Sequence, residues 1–348
     1  MMTGSDVTLL SPTCHLFSRM SDSARIRATV AMYMINVHRL DSDALSLRTG
    51  LHLAGASGVL SSNAACVLRA VKPWTKPHGT GAGFTLDIFV NPALRRSSAQ
   101  PSFRGVDHLV FASFGNDLFG FDLRRRRITA VVGQHTAQDE RFWNLVLLPI
   151  AIGVMGTVLG VVPMHCACLE WRSQGVLITG SSGAGKSTLC AAMAQYGFTY
   201  ISDDWTYVSD AGGSLVAHGL NIPLKLLPDA RKFFSLRDGS LAIAMNGEWA
   251  YEVDPSEIAA KTKTSTKPKR LLLLQRSDRR APKFERLASD AIREFFERSS
   301  ERLPECLPDA RRNRSRIIDR VANLDCWRFT YSGSPHEAAN AIRYFLEK

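Results

Sequence analysis

The hydrophobic pattern is clearest in the middle of the chain, where a short apolar run precedes a glycine-rich stretch and a helical repeat. The run from Val176 to Thr179 predicts a buried strand. After the glycines, apolar residues recur at helical spacing, and Gly197 is placed to end that helix. The recurring residues are Leu189, Met193 and Tyr196. A second apolar run, Phe198 to Ile201, predicts a strand parallel to the first, because a helix crosses between them. This order of elements predicts an α/β fold.

A hairpin is predicted immediately before the glycine-rich stretch. Its parts are a strand over 164–171, a turn over 172–175 and the return strand over 176–179. If Trp171 faces Val176, then His165 lies opposite Ser182. The pattern thus brings a histidine close to the glycine-rich stretch.

The segment from Leu145 to Met164 carries no charge over twenty residues, which is long enough to span a bilayer. Prolines and glycines interrupt it, and it continues directly into the strand that holds His165. We therefore predict a buried helix packed on the α/β core and no stable membrane insertion.

The outer parts of the chain give a weaker pattern. The N-terminal half predicts a β-meander with strands at Phe84 to Val90, His108 to Phe114, Leu118 to Phe121 and Ile128 to Val132, and a turn at 115–117. The C-terminal part predicts strands at Leu271 to Leu274 and Trp327 to Tyr331, a helix from Ser289 to Arg298 with Ala291, Phe295 and Phe296 inward, and a helix from Pro335 to Leu346. We divide the chain into residues 1–50, which are unassigned and compatible with disorder, a smaller β-rich region over 51–144, and the α/β core over 145–348.

The glycine-rich stretch matches the pattern G-x-x-x-x-G-K-[ST]. It consists of Gly180, Ser181, Ser182, Gly183, Ala184, Gly185, Lys186 and Ser187, followed by Thr188. Such a loop wraps phosphates with its backbone N–H groups, while Lys186 reaches the outer phosphates and Ser187 holds Mg²⁺. Because a strand precedes it and a helix follows it, we prefer a binding site for ATP with Mg²⁺ over a chance glycine-rich turn.

Three further residues are candidates for chemistry at the same place. Asp203 and Asp204 follow the second strand, so they emerge at the sheet edge where the loop lies. One carboxylate suits Mg²⁺ and the other suits accepting a proton, while a solvated turn or a helix cap is the alternative. His165 is either a site residue or a structural histidine. Its neighbours Cys166 and Cys168 form a poor zinc signature.

Composition agrees with a nucleotide-binding protein. The chain has 348 residues, 45% apolar content and a net charge of +11, which suits a polyanionic ligand. Its basic residues are spread out, so we expect no nucleic-acid partner, and we expect the run Arg124 to Arg127 to lie in a solvated turn. Seven cysteines without framework spacing predict a reducing, cytoplasmic location.

Together these residues resemble the catalytic domain of the HPr kinase/phosphorylase family. The matching segments are MHCACLEWRSQGVLITG, GSSGAGKST and YGFTYISDDW, and the resemblance covers roughly residues 145–230. It implies a P-loop nucleotide-binding core of the HPr kinase type, with phosphoryl transfer from ATP. It also implies Asp203 as general base, Asp204 as magnesium ligand and His165 near the transferred phosphate.

The chain departs from that family after the aspartate pair, where a Glu-Arg-containing signature is replaced by His218 to Lys225. It is therefore more similar to the dispersed HPr-kinase-related proteins, whose acceptors vary. Lys225 is our candidate for stabilising the transferring phosphoryl group, with a surface lysine as the alternative.

Two functions stay open. One is a kinase acting on a hydroxyl, for which we prefer a serine of a protein or peptide over a small hydroxylated molecule; the other is an ATP-binding regulator that transfers no phosphate. No Leu-Ser-Gly-Gly-Gln or Asn-Lys-x-Asp segment supports a transporter ATPase or a GTPase. Assembly into homo-oligomers is compatible with either function.

Overall fold

The computed structural model shows a mixed α/β protein with several mixed sheets and predominantly strands. It describes residues 45–76, 83–97, 101–220, 222–236, 241–243, 249–259, 261–277, 281–299 and 307–348. The predicted unassigned segment lies outside these residues over 1–44. The described residues form two compact units, one of 45–163 with 307–316 and one of 164–299 with 317–348. The units divide at Met164, whereas the sequence analysis divided the chain at residue 145. The apolar segment over 145–164 has no break in its sequence that would indicate a boundary at Met164.

The first unit contains an eight-stranded sheet. Its strands are β1 (Leu47–Leu53), β2 (Ala56–Ser62), β3 (Thr75–Lys76), β4 (Phe84–Val90), β5 (Ser102–Val106), β6 (Leu109–Phe114), β7 (Asp117–Asp122) and β8 (Arg127–Val132). They lie in the order β3-β1-β2-β4-β8-β7-β6-β5. The four predicted strands are present as β4, β6, β7 and β8, and β6–β8 form an antiparallel meander as predicted. Strand β5, which was not predicted, pairs antiparallel with β6, whereas β4 is not part of the meander because it is parallel to both β2 and β8. The turn before β8 exposes 124–126, as predicted, while Arg127 pairs with Asp87 at 2.6 Å.

The first unit also holds short helices and the long apolar segment. Its helices are α1 (Ala65–Ala70), a 3-10 turn (Lys72–Trp74), α2 (Gln134–Gln138), α3 (Glu140–Phe142), a π turn (Trp143–Leu147), α4 (Leu148–Met155) and a 3-10 turn (Gly156–Leu159). The helical run Glu140–Leu159 is long and apolar enough to cross a membrane, and 61% of its most apolar window is buried within the protein. The predicted helix over 145–164 therefore begins and ends five residues too late. Gly160, at a φ of 80°, ends the helical run, and β9 (Val161–Met164) follows.

The second unit is built on a six-stranded sheet with two small sheets beside it. Its strands are β10 (Ala167–Trp171), β11 (Gln174–Gly180), β12 (Thr199–Ser202), β13 (Thr206–Ala211), β14 (Ser214–His218), β15 (Leu224–Leu226), β16 (Leu241–Ile243), β17 (Trp249–Val253), β18 (Ser265–Thr266), β19 (Pro268–Arg276), β20 (Lys283–Arg286) and β21 (Asp325–Tyr331). The large sheet has the order β12-β10-β11-β19-β21-β20, with β11, β19 and β21 mutually parallel. Strand β12 runs in the direction of β11, as predicted, but β10 lies between them and is antiparallel to both.

Helices complete the second unit. They are α5 (Lys186–Gln195), a 3-10 turn (Pro228–Lys232), α6 (Pro255–Ile258), α7 (Ser289–Ser299) and α9 (Pro335–Glu347), together with the part of α8 (Pro308–Ala322) from Ile317 onward, since its earlier residues belong to the first unit. Residues of α5 and α9 share one apolar core with β11, β19 and β21, which confirms Leu189 and Met193 as core residues. In α7 the predicted inward residue Phe296 is buried and Phe295 is half-buried, whereas Ala291 is exposed and its neighbour Ile292 is buried. The predicted helical face is therefore wrong only at Ala291.

Candidate active site

The glycine-rich loop joins β11 to α5 and needs its glycines. Gly183 and Gly185 adopt φ angles of 77° and 87°, a region in which other residues are strained. A Cβ on Gly185 would lie 3.0 Å from the Tyr331 hydroxyl, which donates to the Ala184 carbonyl at 3.0 Å. Residues 181–183 are exposed. The loop is therefore fixed at its helix end and open to solvent at its tip.

Lys186 begins α5 and lies folded across the loop. Its Nζ donates to the Gly180 carbonyl at 3.1 Å and to the Ser181 carbonyl at 3.4 Å. The side chain is buried, and burial lowers its pKa, while the negative charges of Asp204 and Asp203 oppose that shift. An ammonium group has three N–H donors. Two of them are used among the described residues, which leaves the third able to meet an anion at the loop.

Asp203 follows β12 at the carboxyl edge of the sheet and is only 4% exposed. Its Oδ1 accepts from the Tyr200 hydroxyl at 3.1 Å, whereas its Oδ2 is buried without a hydrogen-bond partner among the described residues. Burial, followed by the negative charge of Asp204, raises the pKa of Asp203 to about 7. This carboxyl group can therefore gain and lose a proton near neutral pH.

Asp204 has the opposite electrostatic character. His165 Nε2 lies 3.2 Å from Asp204 Oδ1, and the imidazole stacks on Trp205 with ring centroids 5.6 Å apart. Burial disfavours the charge of Asp204, but the His165 hydrogen bond and the positive charge of Lys225 contribute to lowering its pKa below the usual value. Asp204 thus remains ionised at neutral pH, and the His165 imidazole beside it is held in place by its stacking on Trp205.

The hairpin before the loop has a different register from the predicted one. Trp171 pairs with Gln174, because the turn consists of only Arg172 and Ser173. Both turn residues have positive φ, 46° and 65°, as in the tight turns that match the twist of paired strands. The predicted pairing of Trp171 with Val176, and of His165 with Ser182, was therefore wrong by two residues. His165 nevertheless reaches the aspartate pair, since its contact is with Asp204.

Lys225 lies on β15, half-buried, beside the aspartates. Its backbone N–H and its positive charge favour the ionised form of Asp203 by lowering its pKa, and its positive charge also lowers the pKa of Asp204. The chain reaches this position through Gly219, where an added Cβ would lie 1.8 Å from the Ile201 carbonyl oxygen. Only glycine allows this crossing over the end of β12. The predicted segment His218 to Lys225 thus contacts the site, although Asn221 lies outside the described residues.

Two residues at the site were not singled out from the sequence. Tyr200 lies three positions before Asp203 and bonds it, and Trp205 stacks on His165. Trp205 follows the aspartate pair directly, so the sequence alone could have indicated that it lies beside the site. The bond made by Tyr200 depends on the course of the backbone after β12, which the sequence pattern does not give.

The donors near the loop are compatible with Mg²⁺ held jointly with a nucleotide. Ser187 is half-buried in the first turn of α5, and Asp204 supplies an ionised carboxylate. Within the described ranges, no group of three or more His, Cys, Asp or Glu side chains could hold a metal. Mg²⁺ usually takes one or two protein carboxylates and completes its shell with phosphate oxygens and water. A serine and one aspartate therefore fit this ion.

Comparisons with known proteins give limited information. No family model and no curated protein matches the sequence. Among solved structures, the chain is similar to the Hpr(Ser) kinase/phosphatase from Coxiella burnetii, with 12% identity over 53% of this chain and 89% of that chain, and a TM-score of 0.29. At this TM-score the likeness carries no weight in the functional assignment, which depends on the geometry described above.

Proposed function

We propose that this protein is an ATP-dependent kinase of the HPr kinase type, which transfers the γ-phosphate to a hydroxyl group of a protein, a peptide or a small molecule. The observation that carries the proposal is Asp203. It is a buried carboxyl group with a pKa raised to about 7 and one unpartnered oxygen, on the sheet edge that also carries the loop lysine. Perturbed acids beside a binding loop are typical of catalytic sites.

The loop supplies the binding part of the proposal. Its exposed tip can offer backbone N–H groups to phosphates, and the free donor of Lys186 can meet the outer phosphates. Ser187 and Asp204 are the residues that would hold Mg²⁺, which when bound neutralises phosphate charge. His165 keeps Asp204 ionised and oriented for that role.

Asp203 supplies the chemical part. A general base is most effective when its pKa lies near the working pH, and a pKa of about 7 meets that condition. Oδ2 accepts the proton of the acceptor hydroxyl while the acceptor oxygen attacks the γ-phosphorus. Lys186 and Lys225 then stabilise the charge on the transferring group, since phosphoryl transfer depends mainly on positioning and electrostatics.

A second function has one observation in its favour. Asp203 is only 4% exposed, so an acceptor hydroxyl needs a path to Oδ2. If no such path opens, the same site binds ATP and acts as a regulator without transferring phosphate. Calorimetry with Mg–ATP, run beside transfer of labelled phosphate to proteins of a source-cell lysate, separates binding from catalysis.

The loop assignment is tested by Lys186→Ala, matched to Lys232→Ala. Lys186 lies in the loop, whereas Lys232 has a side chain that is 68% exposed and pairs with Asp229 on a 3-10 turn. We expect Lys186→Ala to abolish phosphate transfer, because the point charge on the outer phosphates is lost. Lys232→Ala should behave as the native protein. Normal transfer by Lys186→Ala would show that the loop does not bind the reacting nucleotide.

A further inference from the structure

Tyr200 is held rigidly in the core of the second unit. Its backbone N–H donates to the Lys261 carbonyl at 3.0 Å, and its carbonyl accepts from the Lys263 N–H at 3.0 Å. Its side chain is 1% exposed and belongs to the core that β11 and α5 share. The ring therefore has little freedom, and its hydroxyl has a fixed position 3.1 Å from Asp203 Oδ1.

The Tyr200 hydroxyl can only act as a donor to the carboxylate. Burial, and then the negative charge of Asp203, raises the pKa of Tyr200 well above its ordinary value, so it keeps its proton. Its bond occupies Oδ1, while Oδ2 has no partner within the described part of the chain. The two oxygens of Asp203 are thereby made different.

We infer that Tyr200 is a positioning residue, which fixes the rotation of the Asp203 carboxylate so that Oδ2 receives the proton of the acceptor. The inference rests on the proposed kinase function. In the step it serves, the acceptor O–H bond breaks and its proton passes to Oδ2. The acceptor oxygen bonds to the γ-phosphorus, and the bond from that phosphorus to the bridging oxygen breaks, leaving its electron pair on ADP.

Other groups also change the pKa of Asp203. Asp204 raises the pKa of Asp203, while the Tyr200 hydrogen bond and Lys225 lower it. Lys186 and the Cys190 thiol on α5 also interact with this carboxylate, and burial keeps that thiol protonated by raising its pKa. Loss of the Tyr200 hydroxyl therefore removes one stabiliser of the charged form and leaves the others in place.

Tyr200→Phe is the test variant, and Tyr251→Phe is its matched control. Both tyrosines are buried in the same apolar core, but Tyr251 lies on β17 and makes no described bond to the aspartates. In the full-length protein with ¹³Cγ-labelled aspartate, the resonance absent from Asp203→Asn reports Asp203. At a fixed pH of 9 we expect Tyr200→Phe to move this resonance, because the hydrogen bond to Oδ1 is lost. Tyr251→Phe should leave the resonance in place.

Turnover gives the second readout. We expect Tyr200→Phe to lower kcat by about 10–100-fold at pH 9, because Oδ2 is no longer held toward the acceptor proton and misplacement of a reacting group is costly. The KM for ATP should be unchanged, and Tyr251→Phe should keep the native kcat. A purely structural role would instead raise the KM for ATP and lower the stability to urea together with kcat.

The outcomes separate this inference from the function on which it rests. An unchanged Asp203 resonance in Tyr200→Phe, or a kcat equal to the native value, overturns the role of Tyr200 while native transfer stands. Absence of phosphate transfer by the native protein with any acceptor overturns the proposed kinase and the positioning role together.

Discussion

Two buried aspartates, one in each unit, differ in the hydrogen bonds that their carboxyl oxygens accept. In the first unit, Asp117 Oδ1 accepts from the Gly133 N–H at 2.7 Å and its Oδ2 accepts from the Thr136 hydroxyl at 2.5 Å. In the second unit, Asp203 is equally buried but keeps one oxygen without a partner among the described residues. Both side chains are buried, yet among the described residues only Asp117 has a hydrogen-bond partner for each carboxyl oxygen.

The difference shows that burial alone does not mark a functional acid. Buried polar groups are normally satisfied, so an unsatisfied one calls for an explanation. Glu170, in the second unit, follows the structural pattern: Lys263 and Thr266 bond its two oxygens at 2.5 and 2.6 Å, and despite the opposing effect of burial these bonds lower its pKa. The contrast therefore separates individual residues, and it supports the proposed proton transfer to Asp203.

Asp203→Asn should produce the largest effect. The amide cannot accept a proton, so kcat should fall by about 10²–10⁴-fold, the usual contribution of a general base. The affinity for Mg–ATP, measured by calorimetry, should stay within a few-fold of the native value because the loop is unchanged. Asp229→Asn, at a side chain that is 87% exposed, is the control. Near-normal turnover in Asp203→Asn would remove its role as base.

Asp204→Asn should have a smaller effect that depends on the metal. Loss of a charged ligand should raise the Mg²⁺ concentration needed for half-maximal turnover by roughly 10–100-fold. At saturating Mg²⁺, kcat should recover more completely than in Asp203→Asn. The measurement is turnover against Mg²⁺ concentration for both variants. If Asp204→Asn loses turnover at every Mg²⁺ concentration while Asp203→Asn keeps it, the two roles are exchanged.

Asp117→Asn should affect stability and not chemistry. Its new amide N–H₂ group faces a donor, so unfolding by urea should show a loss of about 1–3 kcal/mol. Asp203→Asn at pH 8 should instead be neutral or stabilising. Because the folded-state pKa of Asp203 is raised to about 7, its ionisation destabilises the folded state at pH 8. An amide does not ionise, so it has no such cost. Equal losses of stability in Asp117→Asn and Asp203→Asn would show that the two acids contribute to folding in the same way.

The sequence predicted the parts of the site that are contiguous in the chain. The strand before the loop, the helix after it and the stop at Gly197 follow from local spacing, and Gly197 has a φ of 90° as a helix stop requires. Asp203 and Asp204 were placed at the correct sheet edge because strand direction follows from the crossover helix. These inferences needed no knowledge of side-chain contacts.

The remaining features depend on information that local patterns do not carry. The hairpin register was missed because Arg172 and Ser173 occupy left-handed conformations without glycine. Helix α8 was not predicted, since its large buried residues Ile317, Ile318 and Val321 all lie in the half that follows a run of arginines. The bond from Tyr200 to Asp203 arises only once both side chains are buried together.

The pH dependence of turnover tests the central claim most directly. A base works in its deprotonated form, and the folded pKa of Asp203 is raised to about 7. At saturating Mg–ATP and acceptor, native kcat should therefore rise by about tenfold per pH unit below pH 7 and level off above it. Asp203→Asn should show no such rise. A native profile that is flat from pH 5 to pH 9, or that falls as pH increases through 7, would contradict the assignment of Asp203 as the base of a kinase.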